Sequence, residues 1–291
     1  MKVSIVGAGT VGQATGIGLH KYAHEVIFYD IDQQKLETLA KQGYRVTKNL
    51  GDIRCYDIHM ICVPTPIVNN KPDLTPLESA VKGVAKTLDR QDGYQVVVIR
   101  STILPFTIKK RIIPLLQRYC PLRLGEQYGI CHNPEFLREA HALDDFLNPP
   151  ITVIGETDER SGDMLARLYA PFQSPQVRTT PENAEAIKCF SNAYNATKIS
   201  FFNKLYLIAE RCGLDHEVIS QALPKSTTAI RLVEYGIKGG YPFGGECLPK
   251  DLAALITFLN EQGLSSHLFQ VVAEINEEIR GPQVNPWTSG K

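Results

Sequence analysis

Lys2-Val3-Ser4-Ile5-Val6-Gly7-Ala8-Gly9-Thr10-Val11-Gly12 decides the fold of this chain. A short β-rich run leads directly into a GxGxxG turn. A helical stretch follows through His20, and Glu25-Val26-Ile27-Phe28-Tyr29 forms a second strand closing on Asp30. The order is strand, glycine turn, helix, strand, acid. The glycines permit a tight turn, close approach of a pyrophosphate and close helix packing. Gly7, Gly9, Thr10, Val11 and Gly12 therefore form a phosphate-facing turn at a helix N-terminus. Asp30 lies ~20 residues beyond the turn, where a carboxylate hydrogen-bonds an adenosine ribose diol. Its charge repels a 2′-phosphate, so the unit reads as an NAD site rather than an NADP site. Lys35 falls a turn into the next helix, as a solvated or pyrophosphate-side charge.

The alternation continues outward. Asp57 to Val63 reads as a buried strand ended by Pro64-Thr65-Pro66, and Leu74 to Leu88 as an amphipathic helix. Gln95 to Ile99 is a strand ending in Arg100-Ser101-Thr102. Tyr128 to Cys131 and Ile151 to Gly155 are further strands, and Asp158 to Tyr169 a helix. Sites in such sheets lie beyond the carboxyl ends of the strands. Pro64, Thr65, Ser101 and Thr102 occupy such ends, and the hydroxyls of Thr65, Ser101 and Thr102 reach a nicotinamide or its ribose, or serve ordinary turns. From Pro181 the pattern becomes helical: one long helix to Arg211, then His216–Leu223, Leu252–Gln262 and His267–Ile279. The expected class is α/β, a Rossmann-type mostly parallel sheet followed by a mostly α-helical domain built on one long helix. The expected domains are 1–180, binding NAD, and 181–282, helical, with 283–291 as a tail.

Composition narrows the function. The 291 residues are 43% apolar and 21% charged, as in globular, core-forming chains. Lys+Arg and Asp+Glu are both 31, so there is no basic excess to track a nucleic acid. The seven cysteines are odd in number and never spaced CxxC, which argues against a disulfide framework and a zinc site and suits a reducing cytoplasm. No metal is expected. The chain opens on a strand without a basic n-region, and no apolar run approaches a membrane span, so no membrane partner is expected.

The residues suited to chemistry lie further on. In Phe243-Gly244-Gly245-Glu246-Cys247-Leu248-Pro249-Lys250-Asp251 a cysteine follows a glycine pair at the mouth of a helix-like run. Backbone N–H groups at a helix N-terminus raise the thiolate fraction. With a helix starting near Pro249, Asp251 falls in its first turn. The plainer reading is a buried small cysteine beside a turn. Lys188 and Asn192 are four apart on the long helix and share one face, which Glu185 and Asn195 extend. A solvated stripe is the alternative. Glu135 follows a proline and precedes Phe136-Leu137, a setting suited to acid/base work, or it is an N-terminal helix charge. His132 reads as a turn residue or as one that supports a neighbouring site residue. Arg231 and Lys238 either meet an anionic substrate group or are surface charges.

Taken together, these pieces resemble the UDP-glucose/GDP-mannose dehydrogenases. The resemblance runs from residue 1 to about 280, in family order and spacing. It is carried by Val63-Pro64-Thr65-Pro66, Ser101-Thr102, Asn133-Pro134-Glu135-Phe136-Leu137-Arg138-Glu139, Lys188 to Asn195 and, most specifically, Phe243 to Asp251. It implies that Cys247 is the nucleophile, that Lys188 steadies an oxyanion, and that Asn192 and Asp251 hold a water. Glu135 matches the acid/base of thioester hydrolysis, Thr102 a threonine near nicotinamide, and Glu139 a cofactor contact. Phe136, Leu137, Arg231, Lys238, Phe243 and Gly244 match the substrate side. The implied reaction is a four-electron oxidation of a primary alcohol to a carboxylate, with NAD as cofactor, a nucleotide sugar as substrate and a homodimer built on the long helix.

The family usually carries a third domain after the helical one, so a shortened member is expected. Gly239-Gly240-Tyr241-Pro242 and Glu246 depart from the family pattern. Two other readings stay open: the same chemistry on a smaller or carrier-attached alcohol, and a catalytically idle NAD-binding partner subunit. The 3-hydroxyisobutyrate and 6-phosphogluconate dehydrogenases share the two-domain plan without a thiol.

Overall fold

The computed structural model describes residues 1–69, 71–89, 93–231, 242–244 and 247–280, with backbone alone at 229, 231, 247, 250, 251 and 254. The expected tail at 283–291 lies outside them. The strands are β1 (Lys2–Val6), β2 (Glu25–Tyr29), β3 (Arg45–Thr47), β4 (Ile58–Ile61), β5 (Ile67–Val68), β6 (Lys71–Pro72), β7 (Gln95–Ile99), β8 (Tyr128–His132), β9 (Thr152–Glu156) and β10 (Gln176–Thr179). The helices are α1 (Thr10–Lys21), α2 (Gln33–Lys41), α3 (Thr75–Ala85), α4 (Ile113–Tyr119), α5 (Ala142–Leu147), α6 (Glu159–Tyr169), α7 (Pro181–Cys212), α8 (His216–Ser226), α9 (Thr228–Arg231), α10 (Cys247–Glu261) and α11 (His267–Arg280).

Eight strands form one sheet in the order β10-β9-β8-β7-β4-β1-β2-β3, while β5 and β6 make a separate hairpin. Pairings in the large sheet are parallel except β8 with β9. The predicted class and the mostly parallel sheet are therefore present. Every residue of β4, β7 and β8 is buried. A parallel sheet covered on both faces needs such continuous apolar runs. Alternate residues feed two cores: Ile5, Val96 and Val98 one face, Val6, Val97 and Ile99 the other.

Register places the site. Val6 is level with Tyr29 and Ile61, Ile61 with Ile99, and Ile99 with His132. The next residues, Gly7, Asp30, Cys62, Arg100 and Asn133, therefore leave the sheet along one carboxyl edge. The order reverses between β1 and β4, where open α/β sheets hold their ligands.

The chain forms two compact units, Met1–Tyr194 and Asn195–Lys291, dividing within α7. In the second, Ile208, Leu259 and Phe269 are the buried centre, joined by Leu252, Leu255, Leu264 and Leu268. Asp215 caps α8 by accepting from the N–H groups of Glu217 and Val218. α10 begins at Cys247, earlier than the expected Leu252. Among the described residues no helix is long and apolar enough to cross a membrane.

Candidate active site

A cavity of about 820 Å³ opens at the carboxyl edge of β1, β2, β4 and β7. That is within the ~300–1,000 Å³ of small-molecule sites. Its wall includes Gly7, Gly9, Thr10, Val11, Asp30, Lys35, Pro64, Thr65, Ser101, Thr102 and Glu135.

The glycine turn has the geometry a dinucleotide needs. Gly7 has φ +102° and donates its N–H to Tyr29 O at 2.8 Å. A Cβ on Gly12 would stand 1.9 Å from Gly7 O, so Gly12 lets α1 close onto the turn instead of lining the cavity. A Cβ on Gly9 would meet nothing within 4 Å, which is the open space a pyrophosphate occupies. No side chain caps α1, so its first N–H groups keep their capacity for phosphate oxygens.

At the acid end, Asp30 is buried and accepts from Ala8 N at 2.6 Å and Asp32 N at 2.9 Å. Its carboxylate thus ties the strand end to the glycine turn and still offers lone pairs to a ribose diol. Lys35 Nζ stands 4.0 Å from Asp30 and 3.8 Å from Asp32, beside the acid. Ile31, 82% exposed, adds an apolar surface to the wall. Sequence reading passed over it, although the residue after the acid is its only signal.

At the other end, Ser101 Oγ donates to Val63 O at 2.6 Å and Thr65 Oγ1 to Thr102 O at 2.8 Å. These hydroxyls tie the exits of β4 and β7 together. Cys62 is a buried wall residue whose thiol burial pushes up to about 12, so it stays protonated.

Beside the cavity, the Lys188 ammonium lies 2.8 Å from Glu135 Oε1. Lys188 is buried on α7 and 5.5 Å from the centre of the Phe136 ring. Glu135 Oε2 accepts from Leu137 N at 2.7 Å. Glu135 is therefore in a turn before α5, not at a helix N-terminus. Asn133 fixes that turn. Its Nδ2 donates to Val153 O at 2.7 Å, while its Oδ1 accepts from Tyr169 Oη at 2.7 Å and from Arg100 Nη1. Arg100 is buried, also donates to Tyr169 Oη at 2.8 Å, and lies 5.6 Å from the Phe146 ring centre. The sequence reading did not select Arg100. Its signal is a guanidinium closing the wholly apolar run Val96 to Ile99.

His132 is corrected from a turn residue to the last residue of β8, fully buried. Its Nδ1 donates to Ile99 O at 3.0 Å, and desolvation lowers the imidazole to about 4, so it is neutral. Glu185 is buried and accepts from Phe106 N at 2.5 Å and Ile108 N at 2.8 Å. Burial raises its carboxyl. It anchors the turn at Phe106, which has φ +71°. Asn192 is exposed one turn beyond Lys188. Glu139 is exposed in a one-turn 3-10 segment, apart from the cavity wall, while Phe136 and Leu137 are half-buried.

In the second unit, Cys247 is the first residue of α10 and Asp251 follows one turn later. The helix starts at the cysteine, not near Pro249. The first-turn N–H groups of a helix have no intrahelical partner, so Pro249 costs nothing there. Gly244 is exposed with open space about it. Arg231 ends the short α9. Lys238 lies outside the described residues.

Two family models match the chain. The NAD binding domain of the UDP-glucose/GDP-mannose dehydrogenase family matches residues 1–52 and 42–173, and the family's central domain matches 182–278. GDP-mannose 6-dehydrogenase of Pseudomonas putida is 36% identical over 277 residues, covering 88% of this chain and 63% of the relative. UDP-glucose 6-dehydrogenase TuaD of Bacillus subtilis is 33% identical over 302 residues, covering 96% and 63%. The crystal structure of a ternary complex of GDP-mannose dehydrogenase from Pseudomonas aeruginosa matches with a TM-score of 0.89 at 31% identity, covering 96% of this chain and 69% of that one. The chain thus spans 63% of the length of these curated relatives. The chain belongs to the UDP-glucose/GDP-mannose dehydrogenase family, and its first part is that family's NAD-binding domain.

Proposed function

We propose that this chain oxidises a primary alcohol to a carboxylate with NAD, on a nucleotide sugar of the UDP-glucose or GDP-mannose type. The observation that carries the reading is the Lys188–Glu135 pair, with Lys188 buried and Glu135 lining the same cavity as the glycine turn and Asp30. The activities named for the relatives, GDP-mannose 6-dehydrogenase and UDP-glucose 6-dehydrogenase, support the substrate class.

Gly7, Gly9, Thr10 and Val11 would hold the cofactor's phosphates, with Gly12 letting α1 close onto that turn; Asp30 and Lys35 would hold its adenosine end and Pro64, Thr65, Ser101 and Thr102 its nicotinamide side, with Glu139 a further cofactor contact. NAD supplies the hydride acceptor, once for each of two oxidations. Loss of the first hydride and a proton from the CH2OH group leaves an aldehyde. The Cys247 thiolate adds to the carbonyl carbon, and the carbonyl oxygen becomes an oxyanion. Lys188 has three N–H donors and spends one on Glu135, so two remain for that oxygen. Loss of the second hydride leaves a thioester on Cys247. Asn192 and Asp251 hold the water that attacks it, Glu135 takes one of the water's protons, the thiolate leaves, and the acid so formed gives its second proton to solvent to become the carboxylate. Thr102 orders the same water. Phe136, Leu137, Arg231, Lys238, Phe243 and Gly244 take the sugar and its diphosphate.

The domains that go with this reading are 1–180 for NAD and 181–282 for the Cys247 loop and self-association. Phe190 and Tyr194, 70% and 66% exposed on α7, support a homodimer. A free thiolate nucleophile fits a reducing cytoplasm. Cys247→Ser tests the reading. It is expected to abolish carboxylate formation while NAD still binds; sustained two-fold NADH release by the serine variant would exclude a thiol route.

A further inference from the structure

α11 carries an asparagine at an interior position. Asparagine is a poor helix former because its amide competes for main-chain groups elsewhere. Asn276 is buried, and its amide is turned to the main chain of one residue in a distant loop. Oδ1 accepts from Phe243 N at 2.7 Å, and Nδ2 donates to Phe243 O at 3.1 Å. One carboxamide thus satisfies both main-chain groups of Phe243, in the way a neighbouring strand would. Arg280, one turn further along α11, adds a contact to the same carbonyl at 3.4 Å. Among the described residues no main-chain group pairs with Phe243.

Phe243 is four residues before Cys247, the first residue of α10. α10 and α11 share one core, in which Leu259 of α10 and Phe269 of α11 are buried together. Phe243 is thus held by α11, and Cys247 begins the helix that packs on α11.

We propose that Asn276 is a positioning residue for the Cys247 nucleophile, acting through the main chain of Phe243. The inference rests on the thiol reading above. Asn276 itself touches neither substrate nor cofactor. Its clamp keeps Cys247 at the first position of α10, where the helix N-terminus favours a thiolate. Alanine removes both hydrogen bonds, orphans the Phe243 N–H and leaves its carbonyl only the longer Arg280 contact. Aspartate keeps the acceptor for Phe243 N–H and loses the donor to Phe243 O.

The test compares wild type, N276A and N276D with C247S as a reference. NAD binding, steady-state turnover on UDP-glucose and GDP-mannose, and the rate of iodoacetamide labelling at Cys247 are measured at one pH. N276A is expected to lower kcat at least ten-fold and slow labelling at least five-fold, about 1.4 kcal/mol for the ten-fold loss. KM for the sugar and Kd for NAD should stay within two-fold, a split that a general loss of structure does not produce. N276D is expected between the two, and it decides the matter should N276A fail to fold by circular dichroism. Wild-type kcat in the better-folded variant, or labelling unchanged or faster, overturns the positioning role. Failure of the thiol reading is seen separately, as turnover surviving in C247S.

Discussion

The Lys188 ammonium and the Glu135 carboxylate lie 2.8 Å apart, both largely withdrawn from water. They come from α7 and from the turn after β8, 53 positions apart in the chain. Removing one partner of such a pair strands the other charge, at a cost of about 3 kcal/mol. Lys188→Met is expected to lower urea-unfolding stability by that order and to cut kcat on the order of 10²–10³-fold, as loss of an oxyanion donor does. Glu135→Gln keeps the shape and one hydrogen bond. It should leave both hydride steps and block thioester hydrolysis, which intact-protein mass spectrometry reads as a sugar adduct on Cys247.

The glycine turn separates binding from folding. A Cβ at Gly9 meets no protein atom, whereas one at Gly12 would stand 1.9 Å from Gly7 O. Gly9→Ala is therefore expected to leave the melting temperature near wild type and weaken NAD at least ten-fold, about 1.4 kcal/mol. Gly12→Ala should lower both. Calorimetric titration with NAD and thermal melts check the contrast.

Asp30 accepts two main-chain hydrogen bonds. Asp30→Ala removes the diol acceptor and orphans the Ala8 N–H. NAD affinity is expected to fall by about 1–3 kcal/mol, the cost of an unmet buried polar group. Loss of the negative charge beside Lys35 should also narrow the NAD-over-NADP preference, which parallel titrations with the two cofactors measure.

His59 and His132 are buried, and desolvation lowers each from 6.5 to about 4. The unfolded chain then binds more protons than the folded one between those values, so stability rises with pH. Both contributions are complete above pH 6.5 and are lost as pH falls toward 4, up to about 3 kcal/mol each. Urea unfolding across this range is expected to show the slope, and His132→Gln to reduce it.

The βαβ unit was legible because it is local. Strand, glycines and Asp30 lie within 29 residues, and each constrains its neighbours. The strands Val96 to Ile99 and Ile58 to Ile61 were legible because burial on both faces demands nearly continuous apolar runs, with His59 the one polar side chain, hydrogen-bonded to Ser4. β3 was not, since Arg45-Val46-Thr47 is short and mostly polar. The antiparallel pairing of β8 with β9 was hidden because strand direction is a long-range property. Arg100 escaped for the same reason, with partners at Asn133 and Tyr169. Glu185 read as part of a polar stripe, yet its burial follows from the Phe106 turn packing on α7. The start of α10 was placed too late because Pro249 looked like a boundary.

The central claim is that this chain draws two hydrides from one nucleotide sugar, with Cys247 holding the aldehyde between them. The direct measurement is NADH formed per UDP-glucose or GDP-mannose consumed, with NAD in excess. Two NADH and one uronic acid per sugar are predicted. One NADH with a released aldehyde or ketone, or no NADH from either sugar, would contradict it.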